Sequence, residues 1–221
     1  IIMIKGVLFD LDGTLLDTLE DLYQSVNAAL AACGFPERTR MEVRSFVGNG
    51  VRNLMVRSVP DGEENPKFEE CFQKFREHYA VHLNDHTAPY AGIMELLAEL
   101  KEKGIPTAVV SNKSDAAVKE LCRETFRDLV PLAIGESERV KKKPAPDTVI
   151  EAAAGIGVPL KDCVYVGDSE VDLATAENAG IPCISVSWGF RDKELLESLG
   201  AKTLLDTVSE LRDCLLDMAA K

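Results

Sequence analysis

The chain has 221 residues, of which 46% are hydrophobic and 28% charged, so it can bury a sizeable core and fits one large domain carrying a smaller insert. Its formal net charge of −12 argues against a broad nucleic-acid surface, because phosphate backbones attract basic patches. A small anionic substrate is still compatible with this charge, provided that its pocket is locally positive.

The six cysteines are widely spaced and show neither metal-site nor disulfide spacing. Several lie in apolar runs, where cysteine behaves as a small buried hydrophobe. No stretch approaches the roughly eighteen apolar residues of a membrane span. We therefore expect a cytoplasmic protein with free thiols and no membrane association.

The first predicted element is a buried strand in "IKGVLFD", residues 4–10. About ninety residues without a comparable strand follow. Thr18 and Asp21 make a capping-box-like start for a helix that ends near Gly34. Its apolar stripe consists of Leu19, Leu22, Val26 and Leu30.

Further helical pattern covers about residues 40–58 and 66–83. We therefore predict an all-helical cap domain over residues 16–86, inserted into a core made of residues 1–15 and 87–221. Such an insert would lie over the carboxyl ends of the core strands, where open α/β sheets bind ligands.

After the insert, short apolar β-branched runs alternate with amphipathic stretches such as "GIMELLAELKEKG". The predicted strands are "IPTAVVSN", "PLAIG", "CVYVGD", "PCISVSW" and "KTLL". This alternation predicts an α/β fold, a Rossmann-like, doubly wound parallel sheet with helices on both faces.

Polar residues follow the apolar part of three predicted strands. Asp10, Ser111 and Asp168 each stand at the carboxyl end of a strand, so they converge on one crevice if those strands are neighbours. Lys143 precedes Pro144, which biases its backbone toward an extended form at the entry to the next helix.

The pair Asp10 and Asp12 needs a compensating cation, because two close carboxylates raise each other's pKa. A divalent metal held by Asp10, Asp12 and Asp168 would supply it. Hard oxygen ligands without accompanying His or Cys favour Mg²⁺ over zinc.

Four segments in this order, "DLDGTLLDT", "SNK", "KP" and "GDSEVD", resemble the four motifs of the haloacid dehalogenase superfamily of phosphotransferases. The resemblance spans essentially the whole chain. The position of the insert directly after the first motif is similar to the helical cap of the phosphoglycolate phosphatase-like branch.

This resemblance implies a role for each matching residue. Asp10 would be the nucleophile, forming an aspartyl-phosphate, and Asp12 would be general acid and then general base, with its backbone carbonyl on the metal. Asp168 would complete the metal site, with Asp172 as a further ligand or as a carboxylate behind the ligands. The remaining residues, Ser111, Asn112 and Lys143, would hold the phosphoryl oxygens.

The segment "FVGNG", residues 46–50, followed by Arg52, resembles the substrate-facing cap loop of the same branch. Asn49 and Arg52 are therefore candidates for contacting the organic part of the substrate. The competing interpretation is a Gly-Asn-Gly turn beside a surface arginine.

Other polar residues have simpler explanations. Asp17 is expected to start the helix into the insert, and Trp188 to seal the end of the sheet rather than line a pocket. His78, His82 and His86 have a spacing of four that suggests a metal site, but "ND" at 84–85 would end the helix before His86.

The sequence therefore predicts a Mg²⁺-dependent phosphatase acting on a small phosphorylated metabolite, as a monomer or homodimer. The resemblance leaves open a sugar phosphomutase of the same superfamily. A catalytically silent phosphoester-binding protein is the third possibility, and the presence of Asp12 argues against it, because mere binding needs no proton shuttle.

Overall fold

A computed structural model describes residues 3–220, so Ile1, Ile2 and Lys221, which the predicted core includes, lie outside the described residues. The described chain forms two compact units. The core unit contains the described residues up to Leu16 and those from Pro89 onward, and the helical unit contains residues 17–88.

The strands are β1 (Gly6–Phe9), β2 (Leu16–Asp17), β3 (Ala88–Pro89), β4 (Thr107–Ser114), β5 (Leu132–Glu136), β6 (Cys163–Gly167), β7 (Cys183–Val186) and β8 (Leu204–Leu205). The helices of the core unit are α5 (Ile93–Glu102), α6 (Asp115–Thr125), α7 (Asp147–Gly155), α8 (Glu170–Ala179), α9 (Lys193–Ser198) and α10 (Val208–Ala219). The short strands β2 and β3, where the chain leaves and re-enters the core unit, form a two-stranded sheet.

Six strands form one parallel sheet in the order β5-β4-β1-β6-β7-β8, which confirms the predicted α/β fold. Strand β1 pairs with β4 on one side and with β6 on the other. Along the chain, β4 and β5 extend the sheet on one side of β1, and then β6, β7 and β8 extend it on the other side. This reversal beside β1 is the point at which parallel sheets of this kind bind ligands, outside the carboxyl ends of their strands.

The strands read as continuous apolar runs because they are covered on both faces. Every residue of β1 and of β6 is buried. One buried cluster joins Leu8 of β1, Val110 of β4 and Tyr165 of β6 to the apolar sides of α7 and α8. The three strand ends that carry the predicted site residues are therefore fixed by a common core.

The helices of the helical unit are α1 (Leu19–Ala32), α2 (Arg40–Phe46), α3 (Val51–Ser58) and α4 (Phe68–His82). The helical pattern at 40–58 is two helices rather than one, because Asn49 and Gly50 have φ values of 61° and 89°. These left-handed conformations interrupt a right-handed helix. Among residues 3–220, no helix combines the length and apolar character that a membrane crossing requires.

The start of α1 differs from the predicted capping box. Thr18 is its N-cap residue but its side chain accepts no capping hydrogen bond, and Asp17 Oδ1 accepts one from Leu19 N at 3.3 Å. The carboxylate of Asp21 turns instead to the end of the unit, where it accepts hydrogen bonds from the backbone N–H groups of His86 and Thr87. His86 Nδ1 and Thr87 Oγ1 also contact it, each at 2.8 Å.

We expect Asp21→Asn to lower the free energy of unfolding by about 2–3 kcal/mol, because an amide cannot accept all the N–H groups that converge on this buried carboxylate. Urea unfolding at neutral pH measures this loss. Asp85→Asn is the control, since Asp85 pairs with His82 in an exposed position, and should change stability by less than about 0.5 kcal/mol. Equal effects of the two substitutions would contradict this assignment.

The same contact predicts a pH dependence. Burial alone would raise the pKa of Asp21, but the hydrogen bonds from His86 and Thr87 outweigh it and lower that pKa. The stability that Asp21 contributes is therefore present above the carboxyl pKa of the unfolded chain, about 3.9, and is lost as the pH falls through the lower folded value. The hydrogen bond to Asp21 raises the pKa of His86, so the contribution of His86 is complete below about pH 6.5 and is lost as the pH rises through its folded pKa.

Candidate active site

The carboxyl edge of the sheet gathers the polar residues predicted from the three strand ends. Asp10 follows β1, Ser111 lies in β4 and Asp168 follows β6, so the neighbouring strands bring them to one place. All three are buried. Asp10, Asp168 and Asp172 each direct a carboxylate oxygen to within 4.8 Å of the others, and they form the acidic cluster.

Lys143 supplies the positive charge of the acidic cluster. Its Nζ lies 2.9 Å from each of three acceptors, which are Asp10 Oδ1, Asp172 Oδ1 and the Tyr165 hydroxyl. An ammonium group has three N–H donors, so each is directed to one acceptor. Since Lys143 is only 3% exposed, these contacts fix the position of a buried charge beside Asp10.

The carboxylate of Asp172 is occupied by hydrogen bonds on both oxygens. Oδ1 accepts from Lys143 Nζ and from the Tyr165 hydroxyl, the latter at 2.7 Å. Oδ2 accepts from the backbone N–H groups of Asp168 and Ser169 and from the Ser169 hydroxyl. Five contacts use all of the roughly four lone-pair positions of a carboxylate. Asp172 is therefore built to hold Lys143 and the loop that carries Asp168.

Asp168 is oriented by two donors from loops beside it. Thr14 Oγ1 donates to Oδ1 at 3.1 Å, and the backbone N–H of Phe190 donates to Oδ2 at 2.7 Å. Both loops approach closely only because they carry glycine. A Cβ on Gly13, whose φ is 85°, or on Gly189 would overlap Oδ2 of Asp168. The hydroxyl of Thr14 thus holds Asp168 in place.

The pKa shifts in the acidic cluster arise from burial and from the charges that lie next to one another there. Burial and the charge of Asp172 raise the pKa of Asp10 well above its ordinary value, against the effect of Lys143. Burial and Asp172 raise the pKa of Asp168 to about 7. Burial also acts to raise the pKa of Asp172, but the charge of Lys143 and the hydrogen bonds from Lys143, Tyr165 and Ser169 together lower that pKa.

Asp12 lies in the tight turn after β1, apart from Lys143. The backbone bridge between Asp12 and Leu16, with Gly13 N donating to Leu16 O, closes this turn. The side chain of Asp12 points to a different lysine, and its Oδ1 is 3.0 Å from Lys113 Nζ. The two adjacent carboxylates of the opening motif therefore have separate cations.

Asn112 connects two of the predicted motifs. Its Nδ2 donates to Lys143 O at 2.9 Å, and its Oδ1 accepts from Lys143 N at 2.8 Å. This pair of bonds fixes the backbone of Lys143 against the end of β4. The sequence predicts that Asn112 contacts phosphoryl oxygens, whereas the structure uses its amide to position Lys143.

The predicted substrate residues of the helical unit have partners within that unit. Arg52 binds the carboxylates of Glu63 and Glu69, and its guanidinium lies over the rings of Phe68 and Phe72 at 5.0 and 5.4 Å. Asn49 O accepts a hydrogen bond from Asn53 Nδ2. These contacts favour the surface-arginine interpretation of Arg52 over direct substrate binding.

The three histidines have separate partners rather than a common centre. His78 Nδ1 contacts Ser25 Oγ at 2.8 Å, and His82 Nδ1 contacts Asp85 Oδ2 at 2.6 Å. His86 pairs with Asp21, as described above. In the core unit, Trp188 Nε1 donates to Thr14 O at 3.0 Å, which attaches the loop after β7 to the loop after β1.

Three contributors to the site were not predicted. The Tyr165 hydroxyl and the Lys113 ammonium reach it from inside buried strands, and Phe190 contributes a backbone N–H. A tyrosine in a continuously apolar strand is one available signal, since a buried hydroxyl requires a partner. Lys113 stands inside the motif "SNK" directly after an apolar run, and a lysine at that position is a second signal.

The chain matches the family model described as "Haloacid dehalogenase-like hydrolase" over residues 7–186. It is 32% identical to a phosphoglycolate phosphatase of Chromobacterium violaceum over 215 residues, covering 95% of this chain and 96% of that protein. The solved structure of a protein from Lactobacillus delbrueckii subsp. bulgaricus superposes with a TM-score of 0.92 at 34% identity, over 96% of this chain and 98% of that one. CbbY from Rhodobacter sphaeroides, solved in complex with phosphate, gives a TM-score of 0.74 at 30% identity, over 95% and 96% of the two chains.

Proposed function

This chain belongs to the haloacid dehalogenase-like hydrolase family, and from its active site we propose that it hydrolyses a small phosphomonoester of the phosphoglycolate type. It is an enzyme, a phosphoric monoester hydrolase. The observation that carries the proposal is the buried pairing of Asp10 with Lys143 at the carboxyl end of the central strand. The six free cysteines fit a reducing cytoplasm as its place of action.

Asp10 is the nucleophile of the proposed reaction. One carboxylate oxygen attacks phosphorus, the bond from phosphorus to the leaving oxygen breaks, and an aspartyl-phosphate forms. Water then attacks this phosphorus and releases inorganic phosphate, which restores the carboxylate. Lys143, 2.9 Å from Asp10 Oδ1, orients the carboxylate and offsets its repulsion from the incoming phosphate.

Asp12 transfers the protons. It gives a proton to the leaving oxygen in the first step and takes one from the attacking water in the second. Its carboxylate suits this role because it lies outside the acidic cluster, in the turn that follows β1, beside Lys113. We assign the binding of a phosphoryl oxygen to the hydroxyl of Ser111 in β4, while Lys143 adds positive charge beside Asp10.

The acidic cluster fits a divalent cation. Its carboxylates are buried with oxygens within 4.8 Å of one another. Burial and the neighbouring charge of Asp172 raise the pKa values of Asp10 and Asp168, and a cation would favour their charged forms. We assign Mg²⁺ to Asp10, Asp168 and the backbone carbonyl of Asp12, while Asp172 holds Lys143. When bound, Mg²⁺ would polarise the phosphoryl oxygens and offset their charge.

Phosphate release from a panel of small phosphomonoesters with Mg²⁺ tests the proposal. We expect 2-phosphoglycolate to rank above sugar phosphates, since proteins named phosphoglycolate phosphatase match this chain over nearly its whole length. Conversion of a sugar 1-phosphate to the 6-phosphate through a bisphosphate would instead identify a phosphomutase. Tight phosphoester binding without any turnover would identify a silent binder, and either result would contradict the proposal.

Tyr165→Phe tests how Lys143 is held in place. Loss of the hydroxyl removes one acceptor from Lys143 and one donor from Asp172, both buried. We expect the free energy of unfolding to fall by about 1–3 kcal/mol and kcat to fall by about 10-fold, with little change in KM. Tyr23→Phe on α1, which removes a half-buried hydroxyl, is the control. An unchanged kcat in Tyr165→Phe would show that Lys143 does not depend on this hydroxyl.

A further inference from the structure

A second buried lysine, Lys113, lies beside the proposed acid and base. Its Nζ is 3.0 Å from Asp12 Oδ1, and its side chain is only 6% exposed. Burying an ammonium group is costly unless an anion accompanies it, so the position of Lys113 depends on the charge next to it. The proposed mechanism uses Asp10, Asp12 and Lys143 and gives Lys113 no role.

The end of β4 aims Lys113 at this place. The register of β4 against β5 shifts between Val110 and Ser114, which breaks the regular alternation of side chains. The backbone N–H of Lys113 donates to Ser111 Oγ at 3.1 Å. Lys113 is thus fixed relative to Ser111, which receives the phosphoryl group in the proposed function.

The contact with Asp12 is an ion pair rather than an aligned hydrogen bond. Oδ1 of Asp12 is buried, and within the part of the chain that the structure describes no hydrogen-bond donor is directed at it. An ammonium group has three N–H donors, so Lys113 can contact a second anion while it stays beside Asp12.

We propose that Lys113 binds a carboxylate on the leaving group of the substrate and so selects 2-phosphoacids over neutral phosphomonoesters. This inference rests on the proposed function. The leaving oxygen must come within about 3 Å of Asp12 to receive its proton, and Lys113 Nζ is 3.0 Å from the same carboxylate. In 2-phosphoglycolate a single carbon separates the leaving oxygen from the carboxylate, which matches this spacing.

The charges around the reacting group agree with this role. Asp10, Asp12, Asp168 and Asp172 surround the site, and a substrate with an additional carboxylate would be repelled without a cation on the leaving-group side. Lys143 is directed at the acidic cluster by its three contacts. Lys113 is placed on the side of Asp12, where the leaving group departs.

Three substrates separate carboxylate binding from other roles of Lys113. They are 2-phosphoglycolate, 2-hydroxyethyl phosphate, which is similar in size but lacks the carboxylate, and p-nitrophenyl phosphate, whose leaving group needs little protonation.

In Lys113→Met we expect kcat/KM for 2-phosphoglycolate to fall roughly 10- to 100-fold more than for 2-hydroxyethyl phosphate, chiefly through KM. Lys113→Arg, which keeps the charge, should retain most of the preference. Lys119→Met, at an exposed lysine of α6, is the matched control.

Equal losses on both alkyl phosphates, with a smaller loss on p-nitrophenyl phosphate, would overturn the inference and make Lys113 a positioning residue for Asp12. The wild-type protein gives a second test that needs no variant: glycolate should inhibit competitively, and ethylene glycol at the same concentration should not. Equal inhibition by the two would overturn the inference even if Lys113→Met fails to fold. A wild-type protein inactive on all three substrates, with its fold intact and Mg²⁺ bound, would instead overturn the proposed function and this inference with it.

Discussion

Asp10→Asn is expected to abolish phosphate release, with a loss on the order of 10⁴-fold or more in kcat. The amide has nearly the shape of the carboxylate but cannot attack phosphorus as an anion. Asp10 N donates to Val166 O, and this backbone contact is independent of the side chain. The fold should therefore persist, and circular dichroism with the unfolding midpoint checks that it does.

Asp162→Asn is the matched control for this substitution. Asp162 stands just before β6, at the opposite edge of the sheet from Asp168, and its Oδ2 binds Lys5 Nζ at 2.9 Å. We expect it to keep full activity. Rapid quenching of the wild type during turnover should trap a phosphoryl group on Asp10. Substantial phosphate release by a folded Asp10→Asn variant would exclude Asp10 as the nucleophile.

Removal of Mg²⁺ by excess chelator is expected to lower activity by about 10³-fold or more, and added Mg²⁺ should restore it. The physical reason is the acidic cluster, in which Lys143 faces several buried carboxylates. Without a second cation, a phosphate dianion would enter a negatively charged site. Activity that is insensitive to the chelator would contradict the assignment of a metal.

Asp168→Asn separates metal binding from the chemical step. We expect the Mg²⁺ concentration for half-maximal activity to rise by roughly 10- to 100-fold or more, because Asp168 is a proposed ligand. Calorimetric titration of Mg²⁺ without substrate gives an independent measure of the same loss. Asp162→Asn again serves as the control, since the two aspartates flank the same strand. An unchanged Mg²⁺ affinity in Asp168→Asn would remove this residue from the metal site.

The sheet could be predicted from the sequence because its strands are buried on both faces. This burial produces short, continuous apolar runs, and every predicted strand is present. The position of the site followed from the same pattern, since Asp10 and Asp168 directly follow two of these runs. The order of the strands in the sheet could be determined only from the structure. In this order, β4 and β6 are the neighbours of β1.

The finer contacts could not be predicted because they depend on backbone geometry. The register of β4 shifts at the segment that carries Lys113, which faces Asp12, and the sequence pattern contains no sign of this shift. Asp21 has the spacing of a capping residue from Thr18, yet its carboxylate accepts a hydrogen bond from the backbone N–H of His86, sixty-five positions further along the chain. Arg52 binds the carboxylate of Glu69 and lies over the ring of Phe68, both in its own unit. The role of residues 16–86 as a cap that covers the substrate stays a prediction.

The interior position of β1 determines the order in which the chain can fold during synthesis. β1 is made before its partners β4 and β6, which begin at Thr107 and Cys163. At about 5–20 residues per second, β6 leaves the ribosome on the order of 10 to 30 s after β1. The helical unit is one continuous segment, residues 17–88, and has all of its partners long before then. The nascent chain must therefore keep an apolar strand incompletely paired while the segment behind it folds, so β1 reaches its full native pairing only after β6 has been translated.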